Sequence, residues 1–223
     1  MKPPVLAFLL AFASFSAAPA TDDAGSVRLR EASLHAEFTA ASGEVTLVAS
    51  AEGETGLDRV EIRNPLGVTL VGLATADRGR SLGLFGFRLE VGETDRASFF
   101  ATYPAGDYLI RAHARDGRTA IGTARLSHAV PLPPVSIYPQ EDDVGVPASG
   151  LRVSWLPDPQ VARYDVNLEQ GETDLLAVRL AAGTSSFVVP DGVLEPGRRY
   201  KLEIGAVGAE GNCTFKEVSF RTR

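Results

Sequence analysis

The residues best suited to metal chemistry in this sequence are three histidines, His35, His113 and His128. A zinc protease places two histidines one helical turn apart with a glutamate between them, and no such stretch occurs. The three could form a three-histidine zinc site only if separate strands brought them together. His113 alternates out of phase with its apolar neighbours and is predicted to face solvent. The sequence therefore predicts no metal site.

Acidic and nucleophilic side chains also lack the spacing that catalysis requires. The chain has no Gly-x-Ser-x-Gly elbow, no phosphate-binding loop and no dinucleotide fingerprint. Its densest acidic run is Glu141-Asp142-Asp143, and three adjacent acids seldom supply the six to eight oxygens that calcium takes. We interpret this run as a solvated loop. The sequence predicts no catalytic residue, no cofactor and no enzyme.

The charge balance excludes one class of partner. The formal net charge is −6, whereas nucleic-acid binding depends on lysines and arginines that neutralise phosphates. Two groups of arginines could form a basic spot but are interpreted as solvated faces, since exposed ion pairs contribute little. These groups are Arg78, Arg80 and Arg88, and Arg111, Arg115 and Arg118.

A single cysteine, Cys213, excludes a disulfide within the chain. Packing alone must therefore stabilise the fold, which about 100 residues per domain can support. Cys213 follows Gly211-Asn212 and is predicted to lie at a turn. An intermolecular disulfide is the alternative to an incidental small side chain.

Residues 1–20 have the three parts of a secretory signal peptide. A lysine precedes an apolar run of about ten residues, and small residues ending in Ala18-Pro19-Ala20 follow. The run is too short to span about 30 Å of hydrocarbon, and no cysteine follows as in a lipoprotein. We expect cleavage after Ala20, a mature chain beginning at Thr21, and a secreted or periplasmic protein without a transmembrane segment.

Short runs with a period of two residues, separated by Gly, Pro, Asp and Asn, extend through the rest of the chain. This pattern is typical of an all-β protein. Three prolines lie within 131–134 and favour an extended connection, because proline cannot sit in a central strand. We predict two tandem β-sandwich domains, 26–129 and 135–223, joined by a linker at 130–134.

The stretch Leu194–Ala206 predicts a corner between two sheets. Pro196 fixes φ and Gly197 permits positive φ, after which apolar and charged residues alternate from Tyr200 onward. The ring of Tyr200 is predicted to lie in the core, with its hydroxyl bonded to the corner backbone. This arrangement is the tyrosine corner of β-sandwiches.

Residues 133–223 resemble the fibronectin type III family. Trp155 matches the core tryptophan of that family, Leu194, Pro196 and Tyr200 match its corner, and Tyr164 falls in core phase. A long early loop, 139–150, departs from the family pattern. The resemblance implies a domain without shared catalytic residues and without disulfides, and an exported bacterial protein is its natural setting.

The first domain carries a weaker resemblance to immunoglobulin-like modules. The stretch Tyr103-Pro-Ala-Gly-Asp-Tyr108 repeats the order of proline, glycine and tyrosine, which predicts a second corner at Tyr108. Asn64–Gly67 is predicted to form a turn. Phe85 and Phe87 fall in the phase assigned to the core.

Three aromatic residues are candidates for surface contacts. Phe99 and Phe100 are adjacent, so in a strand one ring must face outward. Tyr138, beside the linker, is a third possible outward ring. Each ring either binds a partner or covers the joint between the domains, and the joint is favoured.

The sequence thus predicts an exported, non-enzymatic protein of tandem β-sandwich modules. Its function is protein–protein interaction, or that of a structural spacer at the cell envelope, through edge strands and loops. The alternatives are a polysaccharide-binding accessory protein and a small hydrolase whose site the sequence does not reveal.

Overall fold

The structure, a computed structural model, describes residues 26–75, 84–93 and 95–223. The predicted signal peptide, Arg78 and Arg80 lie outside these ranges. The described residues form two compact units. The N-terminal unit contains the described residues of 26–37 and 44–128, and the C-terminal unit contains 38–43 and 129–223. The predicted domain bounds remain predictions. No sequence pattern indicated that Phe38–Gly43 would group with the C-terminal residues.

The described residues from Ser26 to Leu126 form seven strands and one helix. The bounds are β1 Ser26–Arg28, β2 Glu31–Thr39, β3 Val45–Arg63, β4 Thr69–Ala74, β5 Leu84–Glu93, α1 Arg96–Thr102, β6 Gly106–Ala114 and β7 Thr119–Leu126. The strand order is β1-β7-β6-β3-β2, and β4 and β5 also pair with β3. The first half of β3 pairs antiparallel with β5, and the second half pairs with β6 and β4.

Helix α1 corrects the expectation that Phe99 and Phe100 lie in a strand. Asp95 caps the helix, because its Oδ1 accepts from the backbone N–H of Ser98 at 2.9 Å and its Oδ2 accepts from the Ser98 hydroxyl at 2.7 Å. These hydrogen bonds hold the pKa of Asp95 below its usual value. A helix of seven residues is too short to show a clear period in the sequence.

The C-terminal unit contains eight strands. Their bounds are β8 Val135–Tyr138, β9 Asp143–Val146, β10 Arg152–Leu156, β11 Val161–Gln170, β12 Thr173–Ala181, β13 Ser186–Val188, β14 Arg199–Gly208 and β15 Cys213–Thr222. One sheet has the order β13-β10-β8, and another contains β15-β14-β11-β12. Strand β9 pairs parallel with β15, so part of the predicted long loop is a strand.

The core of the C-terminal unit is built from the inward side chains of both sheets. Because successive strand residues face opposite sides, each strand contributes alternate residues. The buried cluster contains Val146, Leu151, Val153, Trp155, Val161, Tyr164, Val166, Leu168, Val189, Leu194, Tyr200, Leu202, Ile204, Ala206, Val218 and Phe220. Two sheets that share one core form a β-sandwich, so the predicted all-β sandwich fold is confirmed.

The predicted linker has no strand, and the chain at its start, Ala129 and Pro131, is hydrogen-bonded to residues at the beginning of β15 and just before it. The side-chain amide of Asn212 donates to the Ala129 carbonyl at 2.7 Å, and the hydroxyl of Thr214 donates to the Pro131 carbonyl at 2.7 Å. Cys213, predicted at a turn, is the first residue of β15 and is buried beside Val207 and Phe215.

Phe85 corrects a second expectation. The alternation of β5 placed Phe85 and Phe87 in the core phase, but 60% of Phe85 is exposed and Phe87 is only partly buried. The period of a strand defines two faces without showing which of them is covered.

Within the described ranges, no helix has the length and apolar character needed to cross a membrane.

Candidate interaction surface

Tyr200 anchors the crossover that leads into β14. Its ring is buried, and its hydroxyl oxygen accepts a hydrogen bond of 2.7 Å from the backbone N–H of Glu195. Gly197 has a φ of 73°, a conformation that glycine adopts without strain, while Pro196 is exposed and Leu194 is buried. This corner positions strands and offers no group to a ligand.

Tyr108 forms a corresponding corner in the N-terminal unit. Its hydroxyl donates to the Pro104 carbonyl at 2.9 Å, and its ring is buried. Burial, together with nearby Tyr103, raises the pKa of Tyr108 to about 12. Gly106 precedes it at a φ of 141°, where a Cβ would lie 2.7 Å from Pro65.

Trp155 and Tyr164 are packed together in the C-terminal core. Their ring centroids are 5.2 Å apart, and the Tyr164 hydroxyl accepts from the backbone N–H of Asp158 at 2.8 Å. The indole Nε1 of Trp155 is buried without a hydrogen-bond partner. A buried N–H without a partner is uncommon, because no hydrogen bond offsets the free-energy cost of removing it from water. Both rings serve packing.

The three aromatic contact candidates lie in different surroundings. Phe99 is fully buried, because it lies on the inward side of α1. The prediction that it could be a surface contact is therefore wrong. Phe100 is partly exposed, and its ring stacks on His128 with centroids 4.1 Å apart. Tyr138 is partly buried against the C-terminal core rather than turned outward.

The histidines occupy separate places. His35 Nε2 lies 3.1 Å from Glu37 Oε1, His113 is exposed on β6, and His128 Nε2 donates to the Tyr103 carbonyl at 2.8 Å. Among the described side chains, no group of three or more His, Cys, Asp or Glu is arranged to hold a metal ion.

The acidic run at 141–143 is more ordered than a solvated loop. Glu141 accepts from the backbone N–H of Ser219 at 2.9 Å, and Asp142 accepts from Arg199 at 2.9 Å. Asp143 accepts from the backbone N–H of Gln140 at 2.8 Å. These contacts join the run to β14 and β15, so the carboxylates act as structural acceptors.

An apolar surface lies on the side of the three-stranded sheet that faces away from the core. We call it the outer apolar face. Its four members, each between 48% and 57% exposed, are Val135, Ile137, Leu156 and Val188. Leu156 lies directly opposite Val135 in the register of β10 and β8, so these two side chains are neighbours, whereas Val188 lies opposite Arg152 at the other end of β10. Neighbouring exposed apolar side chains mark interaction sites when they form one patch, whereas isolated ones are ordinary.

A shallow groove continues this face. It has a volume of about 230 Å³ and is lined by Val135 and Leu156 from the face and by several prolines. The prolines are Pro133, Pro134, Pro157 and Pro159. Proline offers no N–H donor, and Asp158 is the single charged residue of the lining, so the groove presents mainly apolar contact.

Sequence reasoning missed the outer apolar face, although a signal was present. Val135 and Ile137 alternate with Ser136 and Tyr138, as in a strand with one buried side. The residues of β10 could have shown which side of the sheet faces outward. Trp155 is expected to be buried, so Leu156, next to it, must face outward.

Solved structures to which the chain is similar include fibronectin type III modules. Those of CbhA from Clostridium thermocellum have 13% identity and a TM-score of 0.36, with 87% of this chain and 93% of that chain covered. Modules FN1–FN3 of chicken CNTN1 have 13% identity and a TM-score of 0.36, with coverage of 89% and 68%. A two-module segment of chicken tenascin has 17% identity and a TM-score of 0.33, with coverage of 88% and 100%.

These modules are of the type that residues 133–223 predict. No protein-family model and no curated protein matches the chain.

Proposed function

We propose that this chain is an exported, non-enzymatic β-sandwich protein that binds another protein through the outer apolar face. The observation that carries this proposal is the exposure of Val135, Ile137, Leu156 and Val188 on one three-stranded sheet, with Leu156 directly opposite Val135. Keeping such a patch in water is unfavourable by roughly 25 cal/mol for each Å² of apolar surface, and a partner that covers it recovers this free energy. A rigid sheet also loses little conformational entropy on binding.

Export and location at the cell envelope form the second part of the proposal. They are supported by the three-part pattern of residues 1–20. N-terminal sequencing of the protein recovered from the medium or the envelope should begin at Thr21. A sequence beginning at Met1 would contradict cleavage.

The binding experiment compares matched variants of the mature protein. Ile137→Asp places a charge on the outer apolar face, whereas Val144→Asp makes the same change on β9, where 80% of the residue is exposed. Each variant is used as bait for the native envelope or medium fraction, and the captured protein is quantified. We expect capture to fall at least about tenfold for Ile137→Asp, since a charge in an apolar interface is costly. Equal loss in both variants would contradict the proposal.

One observation favours a second function, polysaccharide binding. Phe85 is an exposed ring, and carbohydrate sites commonly use such rings as platforms. A glycan array with the mature protein and its Phe85→Ala variant separates the two functions. Binding that depends on Phe85 would support the polysaccharide alternative, and a blank array would remove it.

A further inference from the structure

Three arginines are exposed on the outer side of the sheet that β4, the second half of β3, β6 and β7 form in the N-terminal unit. Val60 of β3 and Ile110 of β6 are buried, so the residues that alternate with them project from the opposite side. Arg59 and Arg63 of β3 and Arg111 of β6 lie on that side. We call these three residues the arginine row.

The register of β3 and β6 sets the spacing of the arginine row. Glu61 lies between Arg59 and Arg63 on β3, and Arg111 is directly opposite Glu61. Arg111 is therefore diagonal to each of the other two arginines, at about 7–8 Å between backbone positions. Arg59 and Arg63 are four residues apart on one strand, which separates them by about 13 Å. The positive charges follow a line and do not converge on one point.

Two members of the row are available to a ligand. Arg59 and Arg111 make no hydrogen bond or ion pair with any other described residue. Arg63 Nη2 donates to both carboxylate oxygens of Glu61, at 3.1 Å and 3.2 Å, and the Thr69 hydroxyl donates to Glu61 Oε1 at 2.7 Å. The hydrogen bonds from Thr69 and Arg63 hold the pKa of Glu61 below its usual value, so this carboxylate is ionised at neutral pH.

Positive charge exceeds negative charge on this side of the sheet. Besides the arginine row and Glu61, its charged residues are Asp107 of β6 and Arg125 of β7, which form an ion pair at 3.5 Å. The described side chains in the outward phase of the four strands therefore include four arginines and two carboxylates, together with exposed His113.

The charged residues at the ends of these strands form balanced pairs. Asp58, just before the arginine row, lies 4.0 Å from Arg115, and Arg118 donates to Asp116 at 2.8 Å within the turn between β6 and β7. The turn between β3 and β4, residues 64–68, contains no charged residue. Because the whole chain has a formal net charge of −6, the excess of cations is a local property of this side.

Neutral hydrogen-bonding groups lie beside the arginine row. Thr119 and Thr123 of β7 are in the outward phase, and neither hydroxyl has a hydrogen-bond partner within the described part of the chain. Guanidinium groups bind carboxylate, sulfate or phosphate oxygens through charge-assisted hydrogen bonds, whereas a threonine hydroxyl both donates and accepts. A polymer that carries acidic groups and hydroxyl groups therefore complements this surface in charge and in hydrogen bonding.

Two other classes of polyanion fit this surface less well. Single-stranded nucleic acid stacks its bases on aromatic side chains, and the outward phase of these four strands contains no Phe, Tyr or Trp. A membrane surface is bound by apolar side chains that enter it alongside the cations. Here the large apolar side chains in the outward phase, Leu109 and Ile121, are half-buried.

We propose that the arginine row binds an acidic polysaccharide. Arg59, Arg63 and Arg111 bind its charged groups, and Thr119 and Thr123 bind its hydroxyl groups. An extended chain suits a line of cations, because successive acidic groups of one polymer reach successive arginines. Binding here goes beyond the protein contact proposed for the outer apolar face and does not depend on it.

The first test compares polymers of different charge and backbone by isothermal titration calorimetry with the mature protein. Dextran sulfate and polygalacturonate are the acidic polysaccharides, and dextran is the uncharged control. Polyglutamate and vesicles of phosphatidylglycerol and phosphatidylcholine carry negative charge without a polysaccharide chain. We expect binding of an acidic polysaccharide that weakens as salt is added, because salt screens exposed charges, and no binding of dextran.

Three outcomes of this comparison would overturn the proposal. The first is that neither acidic polysaccharide binds. The second is that polyglutamate binds as tightly at an equal concentration of charge, which would assign the row to an acidic protein segment. The third is that the vesicles bind as tightly, which would assign it to a membrane surface.

The second test locates the site with matched variants. Arg111→Gln should weaken binding by about threefold, as expected for one exposed ion pair, and the triple Gln variant of the arginine row by about thirtyfold if the three effects add. Arg152→Gln changes the net charge equally at an exposed position of β10 and should bind as the wild type does. Equal losses in Arg111→Gln and Arg152→Gln would show that net charge alone drives binding and would overturn the proposal.

Glu61→Gln gives a gain that general damage to the fold would not produce. The change removes the carboxylate that repels an anionic ligand and releases Arg63 from its ion pair. We expect binding to tighten by about threefold. Unchanged or weaker binding, in a variant whose urea unfolding midpoint matches the wild type, would contradict the assignment of the site to the arginine row.

Discussion

Replacing Tyr200 by phenylalanine tests the corner of the C-terminal unit with the loss of a single oxygen atom. The hydroxyl oxygen accepts from the Glu195 backbone N–H at 2.7 Å, and the ring is buried. Phenylalanine keeps the packing of the ring but leaves the Glu195 donor without this acceptor. A hydrogen bond contributes about 0.5–1.5 kcal/mol, and a buried donor left unsatisfied costs about 1–3 kcal/mol. We expect the free energy of unfolding to fall by about 1–3 kcal/mol.

Urea unfolding measured by tryptophan fluorescence suits this experiment. The chain has one tryptophan, Trp155, and it belongs to the same core as Tyr200, so its emission follows the unit that is perturbed. Tyr138→Phe is the matched control, since the Tyr138 hydroxyl makes no hydrogen bond within the described residues and the tyrosine lies in the same unit. A Tyr200→Phe curve that overlays both the wild type and this control would refute the assignment of the corner.

Three further substitutions or titrations follow from the packing. Trp155→Ala should destabilise the C-terminal unit by about 3–5 kcal/mol in thermal unfolding, and Trp155→Phe by less, because Nε1 has no bond to lose. Equal losses of stability in Trp155→Ala and Trp155→Phe would contradict this explanation. Gly205→Ala should cost about 1–3 kcal/mol in urea, because a Cβ would lie 2.5 Å from the ring of Phe215, and a neutral result would show that the ring moves aside. Ultraviolet absorbance should show Tyr108 ionising near pH 12, so its contribution to stability is present below the ordinary pKa of about 10 and is lost as pH rises through the folded value. Ionisation at the ordinary value without unfolding would contradict its burial.

Local sequence patterns were sufficient to predict the structure where a short stretch of residues determines it. The order proline, glycine, tyrosine and alternating residues identified the crossovers at Tyr200 and Tyr108, because turn geometry depends on neighbouring residues. Asn64–Gly67 was predicted as a turn for the same reason, and in the structure the Gly67 N–H donates to the Asn64 carbonyl at 2.9 Å.

Burial was harder to predict where it depends on residues distant in the sequence. The alternation of β5 could not show that Phe85 is exposed, because both faces of a strand share one period. Asn167 and Glu203 lie in the outward phase, which indicates solvent exposure in an isolated strand. Their burial arises from side chains on the strands paired with them, β12 and β14 beside Asn167, and β11 and β15 beside Glu203.

Short or continuous elements also escaped the sequence patterns. Helix α1 has seven residues, so a period of 3.6 repeats only about twice within it. Its signal was the cap, Asp95 three residues before Ser98. Strand β3 runs without interruption over Val45–Arg63, although it contains glycine and glutamate, which are depleted in strands.

Site-specific photo-crosslinking tests most directly whether the outer apolar face binds a partner protein. A photoreactive phenylalanine analogue is placed at Ile137 on the face, or at Glu172 in the exposed turn after β11, in the protein expressed in its native envelope. We expect a discrete crosslinked protein species from position 137 and none from position 172. Identical patterns from the two positions, or a discrete species from position 172 alone, would contradict it.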